Sequence, residues 1–284
     1  MARRGIVRYE TGTFSHDPRA ELAEEAMLHV EINETASFDV VVTPQHIREF
    51  VVGYLICEGY AADASEITKM RLNAKDRIAR ADVTLDSPRV KTLAFRKNYN
   101  IIWTECGTAD AFYRMLGEKI PSIKSKVTIT PVAMFRCYME VLEHNDAYRR
   151  TGAYHYAFLF DPKTAKVVAQ AIDIGRHNAI DKVVGLALSK GLDPSKAVLF
   201  STGRITIDMI LKAARARIPI VISRSAPLDK AVELAAQFDL TLVGFLRNNR
   251  FNIYAAPQRI ETAPGMRPRK GARAARRARA RTAR

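Results

Sequence analysis

Short apolar segments alternate with amphipathic ones between residues 156 and 255, and this alternation constrains the fold more than any other feature of the sequence. The apolar segments are almost continuously hydrophobic, which is typical of strands buried on both faces. The predicted strands are residues 156–160, 166–172, 197–201, 218–223, 240–245 and 251–255, and the predicted helices are residues 178–190, 206–217 and 227–238. The pattern predicts an α/β fold in which helices flank a mainly parallel sheet.

The N-terminal part of the chain lacks this regular alternation. Residues 37–42 read as a strand, and Thr43-Pro44 reads as an N-cap followed by proline at the first position of a helix. Apolar residues at helical spacing continue that helix to Glu58. Further strand-like segments predict a smaller α+β unit. Beyond them the sequence predicts a strand at residues 100–103 and helices at residues 109–116 and 131–148.

The C-terminal segment from Gly265 to Arg284 has nine Arg or Lys residues and no acid, in a chain of net charge +15. It lacks the apolar side chains needed for a core, so we expect it to be disordered. It is either an arm for a polyanion or a solvated extension. The predicted organisation is an N-terminal α+β domain over residues 1–125, a C-terminal α/β domain over residues 126–261 and a basic tail over residues 262–284.

Several classes of protein are excluded by composition. No apolar run is long enough for a transmembrane helix, and the N-terminal segment lacks the apolar stretch of a signal peptide. Three cysteines are too few and too scattered for a disulfide framework or a Cys-x-x-Cys metal site. We therefore expect a cytoplasmic protein that has no tightly bound metal of its own and no contact with a membrane.

Cys106 is the candidate nucleophile. It follows the predicted strand at residues 100–103 and precedes a predicted helix, where the helix dipole favours a thiolate. Gly107 leaves the sulfur accessible. A buried structural cysteine is the alternative for Cys106, and it is the favoured interpretation of Cys57 and Cys137, which lie among apolar residues at helical spacing.

Arginine residues follow three successive predicted strands. Arg176 and His177 come after the strand ending near residue 172, Arg204 follows the next strand, and Ser223-Arg224-Ser225 follows the third. Loops at the carboxyl ends of α/β strands commonly bind phosphates through arginine side chains and helix N-termini. The alternative is ordinary helix capping by Ser and Thr. His155 is a further candidate for this rim, with a structural role as its alternative.

The loop after the strand at residues 240–245 adds a second group of candidates. It contains Phe245, which can stack on a base, and two more arginines, or it is an ordinary hairpin turn at Asn248-Asn249. The residues of this stretch are Phe245, Leu246, Arg247, Asn248, Asn249 and Arg250.

These segments together resemble the formate dehydrogenase accessory sulfurtransferase (FdhD) family. The ordered blocks that carry the resemblance are Val42-Thr-Pro, Glu49-Phe-Val-Val-Gly-Tyr with Glu58-Gly59, Cys106-Gly107, Thr151-Gly152 with His155, Asp173-Ile-Gly-Arg-His-Asn-Ala-Ile-Asp-Lys182, Thr202-Gly-Arg, Ser225-Ala-Pro and Gly244-Phe with Arg247. The resemblance covers about residues 20–260.

The resemblance implies a sulfur carrier that takes persulfide sulfur from a cysteine desulfurase on Cys106. It then transfers the sulfur to the molybdenum or tungsten centre of a bis-(molybdopterin guanine dinucleotide) cofactor before insertion into formate dehydrogenase. Residues 245–250 match the stretch that contacts the dinucleotide. Arg176, His177 and Arg204 are further candidate contacts because of their position after the predicted strands. The family's C-terminal domain is a cytidine-deaminase-like three-layer α/β domain, and the family is expected to be homodimeric.

The sequence departs from the family at several positions, among them Ile172, Ala153 and Thr202, and the departure at Ala109 bears on the mechanism. Ala109 stands where the loop often has a second cysteine, which excludes a disulfide within the loop. A zinc deaminase, suggested by the fold analogy, is excluded because its His-x-Glu and Pro-Cys-x-x-Cys motifs are absent. A plain thiosulfate sulfurtransferase would not need the arginines. The remaining alternative is a non-catalytic polyanion- or nucleic-acid-binding protein that acts through the basic tail.

Overall fold

The computed structural model describes residues 1–75, 78–87, 89 and 120–261. Cys106, the predicted strand at residues 100–103, the predicted helix at residues 109–116 and the basic tail lie outside the described residues. The domain bounds remain a prediction. In the part of the chain that is described, no helix is long and apolar enough to cross a membrane.

The chain begins with a two-stranded antiparallel hairpin that the sequence analysis did not predict. Its strands are β1 (Ala2–Glu10) and β2 (Thr13–Leu22). The two residues between them, Thr11 and Gly12, both have positive φ, as in the type I′ turn that matches the twist of a hairpin. Thr-Gly is a weaker signal for this turn than Asn-Gly, which explains why the hairpin was missed.

A four-stranded sheet follows. It consists of β3 (Ala26–Ile32), β4 (Ala36–Val42), β5 (Ile67–Lys75) and β6 (Ile78–Leu85), in the order β4-β3-β6-β5. β6 alternates exposed and buried residues along its whole length, so one face of the sheet is apolar. Helix α1 (Ile47–Cys57) covers that face through Phe50, Val51 and Leu55.

The remaining elements form a six-stranded sheet and its helices. The helices are α2 (Pro131–Glu143), α3 (Asp146–Thr151), α4 (Arg176–Ser189), α5 (Ile207–Arg215) and α6 (Asp229–Gln237). The strands are β7 (His155–Phe160), β8 (Val167–Asp173), β9 (Val198–Ser201), β10 (Ile220–Ser223), β11 (Thr241–Gly244) and β12 (Asn252–Ala255).

The sheet order is β12-β11-β10-β9-β7-β8. Only the pairs β9–β10 and β10–β11 are parallel, whereas β7–β8, β7–β9 and β11–β12 are antiparallel. The prediction of a mainly parallel sheet was therefore wrong, because the chain enters and leaves the sheet through hairpins, which pair antiparallel strands. The predicted hairpin of residues 156–172 is confirmed.

Both faces of this sheet are covered. Along β7, Ala157 and Leu159 pack into the apolar cluster that contains α4, α5 and α6. The intervening residues Tyr156, Phe158 and Phe160 pack into the cluster that contains α2. Because successive strand residues point to opposite faces, the two clusters lie on opposite sides of the sheet. The fold is thus a mixed α/β arrangement with helices on both faces of the larger sheet.

Two predicted helix boundaries were wrong. Thr43 does not cap α1, which begins four residues later after His46 in the left-handed region. The predicted helix at residues 131–148 is divided into α2 and α3 at His144 and Asn145, both weak helix formers. Thr130 caps α2 by accepting the Ala133 N–H at 3.1 Å, as Pro131 at the first helical position predicts.

Candidate functional site

Strand direction brings the predicted loops to one edge of the six-stranded sheet. β7 is antiparallel to both β8 and β9, and β9, β10 and β11 are parallel. The strands β8, β9, β10 and β11 therefore all point the same way, opposite to β7. Their carboxyl ends meet at one edge, together with the start of β7. The site residues that follow these ends are Arg176 and His177 after β8, Arg204 after β9, Arg224 after β10, and residues 245–250 after β11.

Arg176 is held by its aliphatic stem. The stem lies against Gly203, where an added Cβ would stand 3.0 Å from Cδ and 3.1 Å from Cβ of Arg176. Gly203 follows β9, so the absence of a side chain there lets two loops of the edge approach each other. Arg176 is half-buried and the neighbouring Arg204 is exposed.

His177 and the helix N-termini supply hydrogen-bond donors at this edge in addition to the arginines. His177 Nε2 lies 3.1 Å from Oγ1 of Thr206, the N-cap residue of α5. None of the N-cap residues of α4, α5 and α6 (Gly175, Thr206 and Leu228) caps its helix with a side chain. The capping alternative therefore does not describe these three positions, and three positive helix ends face the same edge.

The loop after β11 is held at the edge by its backbone. The N–H of Phe245 donates to Ser225 O at 3.1 Å, and the N–H of Leu246 donates to Ser223 O at 3.1 Å. Phe245 has φ of 52°, a left-handed conformation that is unusual for a bulky residue, and its side chain is 41% exposed. Leu246 is fully buried, so its side chain anchors the loop in the core.

The polar residues of this loop divide into two kinds. The guanidinium of Arg247 donates to Arg224 O and, at 3.0 Å, to Leu246 O, so it braces two loops of the edge. Asn248, Asn249 and Arg250 are exposed. The turn alternative is also correct here, because β11 and β12 pair as a hairpin with Gly244 opposite Asn252. Contact of residues 245–250 with a ligand remains a prediction.

His155 begins β7 at the same edge, directly opposite Asp173 in the register. Burial lowers the pKa of His155, and the positive charge of Arg176 lowers it further, while Asp173 opposes both effects. The ring is therefore neutral near pH 7, and it becomes a better proton acceptor when an anion offsets Arg176.

A buried ion pair lies in the interior next to this edge, and it was not predicted from the sequence. The carboxylate of Asp173 lies 2.7 Å from the ammonium of Lys182, and both side chains are fully buried. Asp173 also accepts the N–H groups of Thr43 at 3.0 Å and Gly175 at 2.8 Å. The available signal was the dense polar block at residues 173–182, but its partner Thr43 was misread as a helix cap.

A second buried charge cluster lies between α1, α4 and α5. Lys212 donates to both carboxylate oxygens of Asp181 at 2.9 Å and to Glu58 at 2.6 Å. Burial raises the pKa of Asp181 to about 7, although Lys212 opposes this shift. Burial disfavours the charge on Lys212, but Asp181 and Glu58 outweigh that effect and raise the pKa of Lys212 above its ordinary value.

The two cysteines in the described residues are unreactive in character. Cys57 and Cys137 are both fully buried and unbonded to another cysteine, which confirms that they belong to the core. Burial raises the pKa of Cys57, and the nearby Asp181 raises it further. Burial raises the pKa of Cys137 to about 12. Neither thiol can supply an accessible thiolate near neutral pH.

Comparisons with known proteins agree on one family. The profile described as the FdhD/NarQ family matches residues 23–261. The chain is 33% identical over 262 residues to the sulfur carrier protein FdhD of Bacillus subtilis, covering 91% of this chain and 97% of that protein. It is 32% identical over 265 residues to the protein of the same name in Listeria innocua, covering 92% and 98%.

A solved structure has the same fold. It is the crystal structure described as that of a formate dehydrogenase accessory protein from Desulfotalea psychrophila. The TM-score is 0.71 at 25% sequence identity, and the match covers 91% of this chain and 98% of that chain.

Proposed function

Because the chain belongs to the FdhD/NarQ family, as its motifs predicted, we propose that it is a sulfur carrier in the maturation of formate dehydrogenase. In this proposal Cys106 receives persulfide sulfur from a cysteine desulfurase. It passes that sulfur to the molybdenum or tungsten of a bis-(molybdopterin guanine dinucleotide) cofactor, before the cofactor enters formate dehydrogenase. The protein is then a sulfurtransferase, and the metal complex is its substrate.

The observation that carries this proposal is the burial of the other two thiols. The sequence has three cysteines, and Cys57 and Cys137 are fully buried with raised pKa values. A persulfide carrier must present a thiolate to its donor. Cys106, in the block that matches the family's loop, is the cysteine to which the role falls.

The chemistry requires two exchanges at sulfur. The Cys106 thiolate attacks the outer sulfur of the donor persulfide, a new S–S bond forms on Cys106, and the donor cysteine leaves as a thiolate. In the second exchange the terminal sulfur atom leaves Cys106, which is released as a thiolate. A metal–sulfur bond would form as the S–S bond breaks, and a reduced metal in the substrate would be oxidised by two electrons as this sulfur becomes sulfide.

The edge described above supports binding of the dinucleotide. Arg204 and Arg250 are exposed there, Arg176 is half-buried against Gly203, and three helix N-termini point the same way. Diphosphate groups are well matched by arginine forks and helix N-termini together. The exposed ring of Phe245 is available to stack on a guanine base.

Three finer features belong to the same proposal. We expect the C-terminal domain to be cytidine-deaminase-like, the protein to be a homodimer, and its location to be the cytoplasm. The helices on both faces of the six-stranded sheet are consistent with the first. Sedimentation equilibrium of the full chain tests the second.

The proposal is tested by intact-mass spectrometry after incubation with a cysteine desulfurase and cysteine. Wild type and Cys137→Ala, which lacks only a buried thiol, should each gain one cyanide-releasable sulfur. Cys106→Ser should gain none while its circular dichroism spectrum stays that of the wild type. Equal loading of all three proteins, or of none, would show that Cys106 is not the carrier.

A further inference from the structure

One carboxylate joins the turn that carries Arg176 and His177 to the end of the smaller sheet. Asp173 Oδ1 accepts the Gly175 N–H at 2.8 Å and the Asn178 side-chain amide at 3.0 Å. Its Oδ2 accepts the Thr43 N–H at 3.0 Å and lies 2.7 Å from Lys182 Nζ. Both oxygens of a fully buried side chain are thus bonded, Oδ1 to the turn itself and Oδ2 to Thr43 and Lys182.

The segment that leaves β4 is bonded to the same turn by other groups. Thr43 Oγ1 accepts the Ile174 N–H at 3.2 Å, and Thr43 O accepts from Lys182 Nζ at 2.7 Å. The Asn178 amide also donates to Val41 O at 2.9 Å. Residues 174, 175 and 178 of the turn are therefore each bonded to the end of β4, to Asp173 of the ion pair, or to both.

The ion pair is a costly way to obtain stability alone. Burial lowers the pKa of Lys182, while the charge of Asp173 opposes that shift. Apolar residues of similar volume often stabilise a protein as much as a buried ion pair does. Asp173 bonds directly to the turn through the Gly175 N–H and the Asn178 amide. Lys182 holds Asp173 and the Thr43 carbonyl in place, so its contribution to the turn is indirect. Apolar side chains could not supply these directional bonds.

We infer that Asp173 and Lys182 are positioning residues for the edge of the six-stranded sheet that is proposed to bind phosphate: they hold the turn that presents Arg176 and His177 and tie it to Thr43. The inference rests on the proposed phosphate-binding role of that edge. The same bonds tie this edge to the end of β4 in the smaller sheet.

The neighbouring residue provides a matched control. Asp181 precedes Lys182 on α4 and forms the other buried Asp–Lys pair, with Lys212. Lys212 donates to Asp181 and to Glu58 between α1, α4 and α5. Removing either pair disturbs α4 at almost the same place, but only the pair of Asp173 and Lys182 is bonded to the turn.

The experiment compares two double variants of the full chain, Asp173→Asn with Lys182→Met and Asp181→Asn with Lys212→Met. Replacing both members of each Asp–Lys pair avoids leaving a lone fully buried charge. Glu58, the other partner of Lys212, is partly exposed and also lies 3.9 Å from Arg215. GDP is the probe, and its Kd is measured by calorimetry beside the Tm of each protein. The first variant should raise the Kd about tenfold, or about 1.4 kcal/mol. The second should leave it within about twofold, even if the Tm falls equally.

Amide hydrogen exchange without ligand gives an independent result. Residues 174–178 should exchange faster in the first double variant only. Equal exchange in both variants, or equal GDP affinity in both, would overturn the inference and leave the pair a purely structural one. Failure of the wild type to bind GDP would instead contradict the proposed phosphate site, while the exchange measurement still decides the positioning role.

A milder change guards against poor folding. Thr43→Val removes only the hydroxyl that accepts the Ile174 N–H. It should raise exchange at residues 174–178 and weaken GDP binding by about twofold to threefold, a few tenths of a kcal/mol up to about 0.7. Unchanged exchange in Thr43→Val would contradict the proposed link between β4 and the turn.

Discussion

Gly53 of α1 lies directly against the backbone of Asp181 on α4, with the carbonyl oxygen of Asp181 occupying the place where a Cβ of Gly53 would stand. One turn away the relationship is reciprocal, because a Cβ on Gly185 would overlap the carbonyl oxygen of Glu49. The helices are therefore in backbone contact at two points. This contact joins the layer of α1 to the larger sheet.

Gly53→Ala and Gly185→Ala should each be strongly destabilising. The added methyl group meets backbone atoms that cannot move aside without separating the helices, and overpacking of a core costs about 1–3 kcal/mol or more. We expect a loss of about 3 kcal/mol in the free energy of unfolding, measured by urea denaturation. Gly5→Ala is the control, since its Cβ would meet the nearest atom at 3.5 Å. A loss under about 1 kcal/mol in both variants would contradict the close crossing.

The pKa of His155 should depend on Arg176. Burial is the larger cause that lowers this pKa and Arg176 the next, so Arg176→Ala should raise it partway toward the ordinary value of about 6.5. An NMR titration of the His155 ring in both proteins measures the shift. An unchanged pKa in Arg176→Ala would show that the two groups do not interact.

The lowered pKa of His155 also predicts how the stability of the folded protein changes with pH. The folded pKa of His155 lies below the unfolded value, so the unfolded state binds more protons in the window between them. The contribution of neutral His155 is present above pH about 6.5 and is lost as the pH falls through the folded pKa. Urea midpoints from pH 7.5 to 5 should therefore fall less steeply in His155→Gln than in wild type.

Removing Arg250 and removing Arg247 should have different effects on GDP affinity and on the Tm. Arg250 is exposed, so Arg250→Ala should weaken GDP binding by about 1.5–3 kcal/mol, the worth of a charge-assisted hydrogen bond, without changing the Tm. The guanidinium of Arg247 donates to backbone carbonyls of Arg224 and Leu246. Arg247→Ala should therefore lower both affinity and Tm. Calorimetry with GDP and thermal denaturation separate the two effects, and wild-type affinity in Arg250→Ala would exclude its contact with phosphate.

The basic tail distinguishes the sulfur carrier from the polyanion-binding alternative. A chain ending at Glu261 loses the nine basic residues of Gly265–Arg284. If Cys106 and the arginines at the edge of the six-stranded sheet carry the function, this truncation should keep full sulfur loading and GDP affinity. It should lose only salt-sensitive retention on heparin. Loss of sulfur loading on truncation would favour a role for the tail, and Cys106→Ser in the truncated chain is the control.

The sequence predicted the loops of the site better than it predicted their support. Arg176, Arg204 and residues 245–250 could be assigned to one edge because each follows an apolar strand, and strand ends are local signals. The pairing of Asp173 with Thr43 joins residues 130 positions apart. No local pattern encodes such a contact, and the Thr-Pro pair at residue 43 gave a strong but misleading capping signal.

The directions of the strands in the six-stranded sheet were the other feature that could not be predicted from the sequence. The apolar runs identified the strands of the six-stranded sheet, yet a buried antiparallel strand such as β7 reads the same as a parallel one. Its insertion between β8 and β9 follows from the sheet order alone. The interior cysteines were predictable because Cys57 and Cys137 continue apolar helical faces.

The left-handed backbone of Phe245 has a consequence for how this position varies. A backbone with φ of 52° costs a bulky residue about 1–2 kcal/mol that glycine would not incur. The fold itself therefore gives no reason for an aromatic residue there, and Leu246 already anchors the loop. A library of random substitutions at position 245, selected only for survival on heating, should accumulate glycine. The same library selected for a mature, active dehydrogenase should keep an aromatic ring, so the residue would behave as a marker of function within this loop.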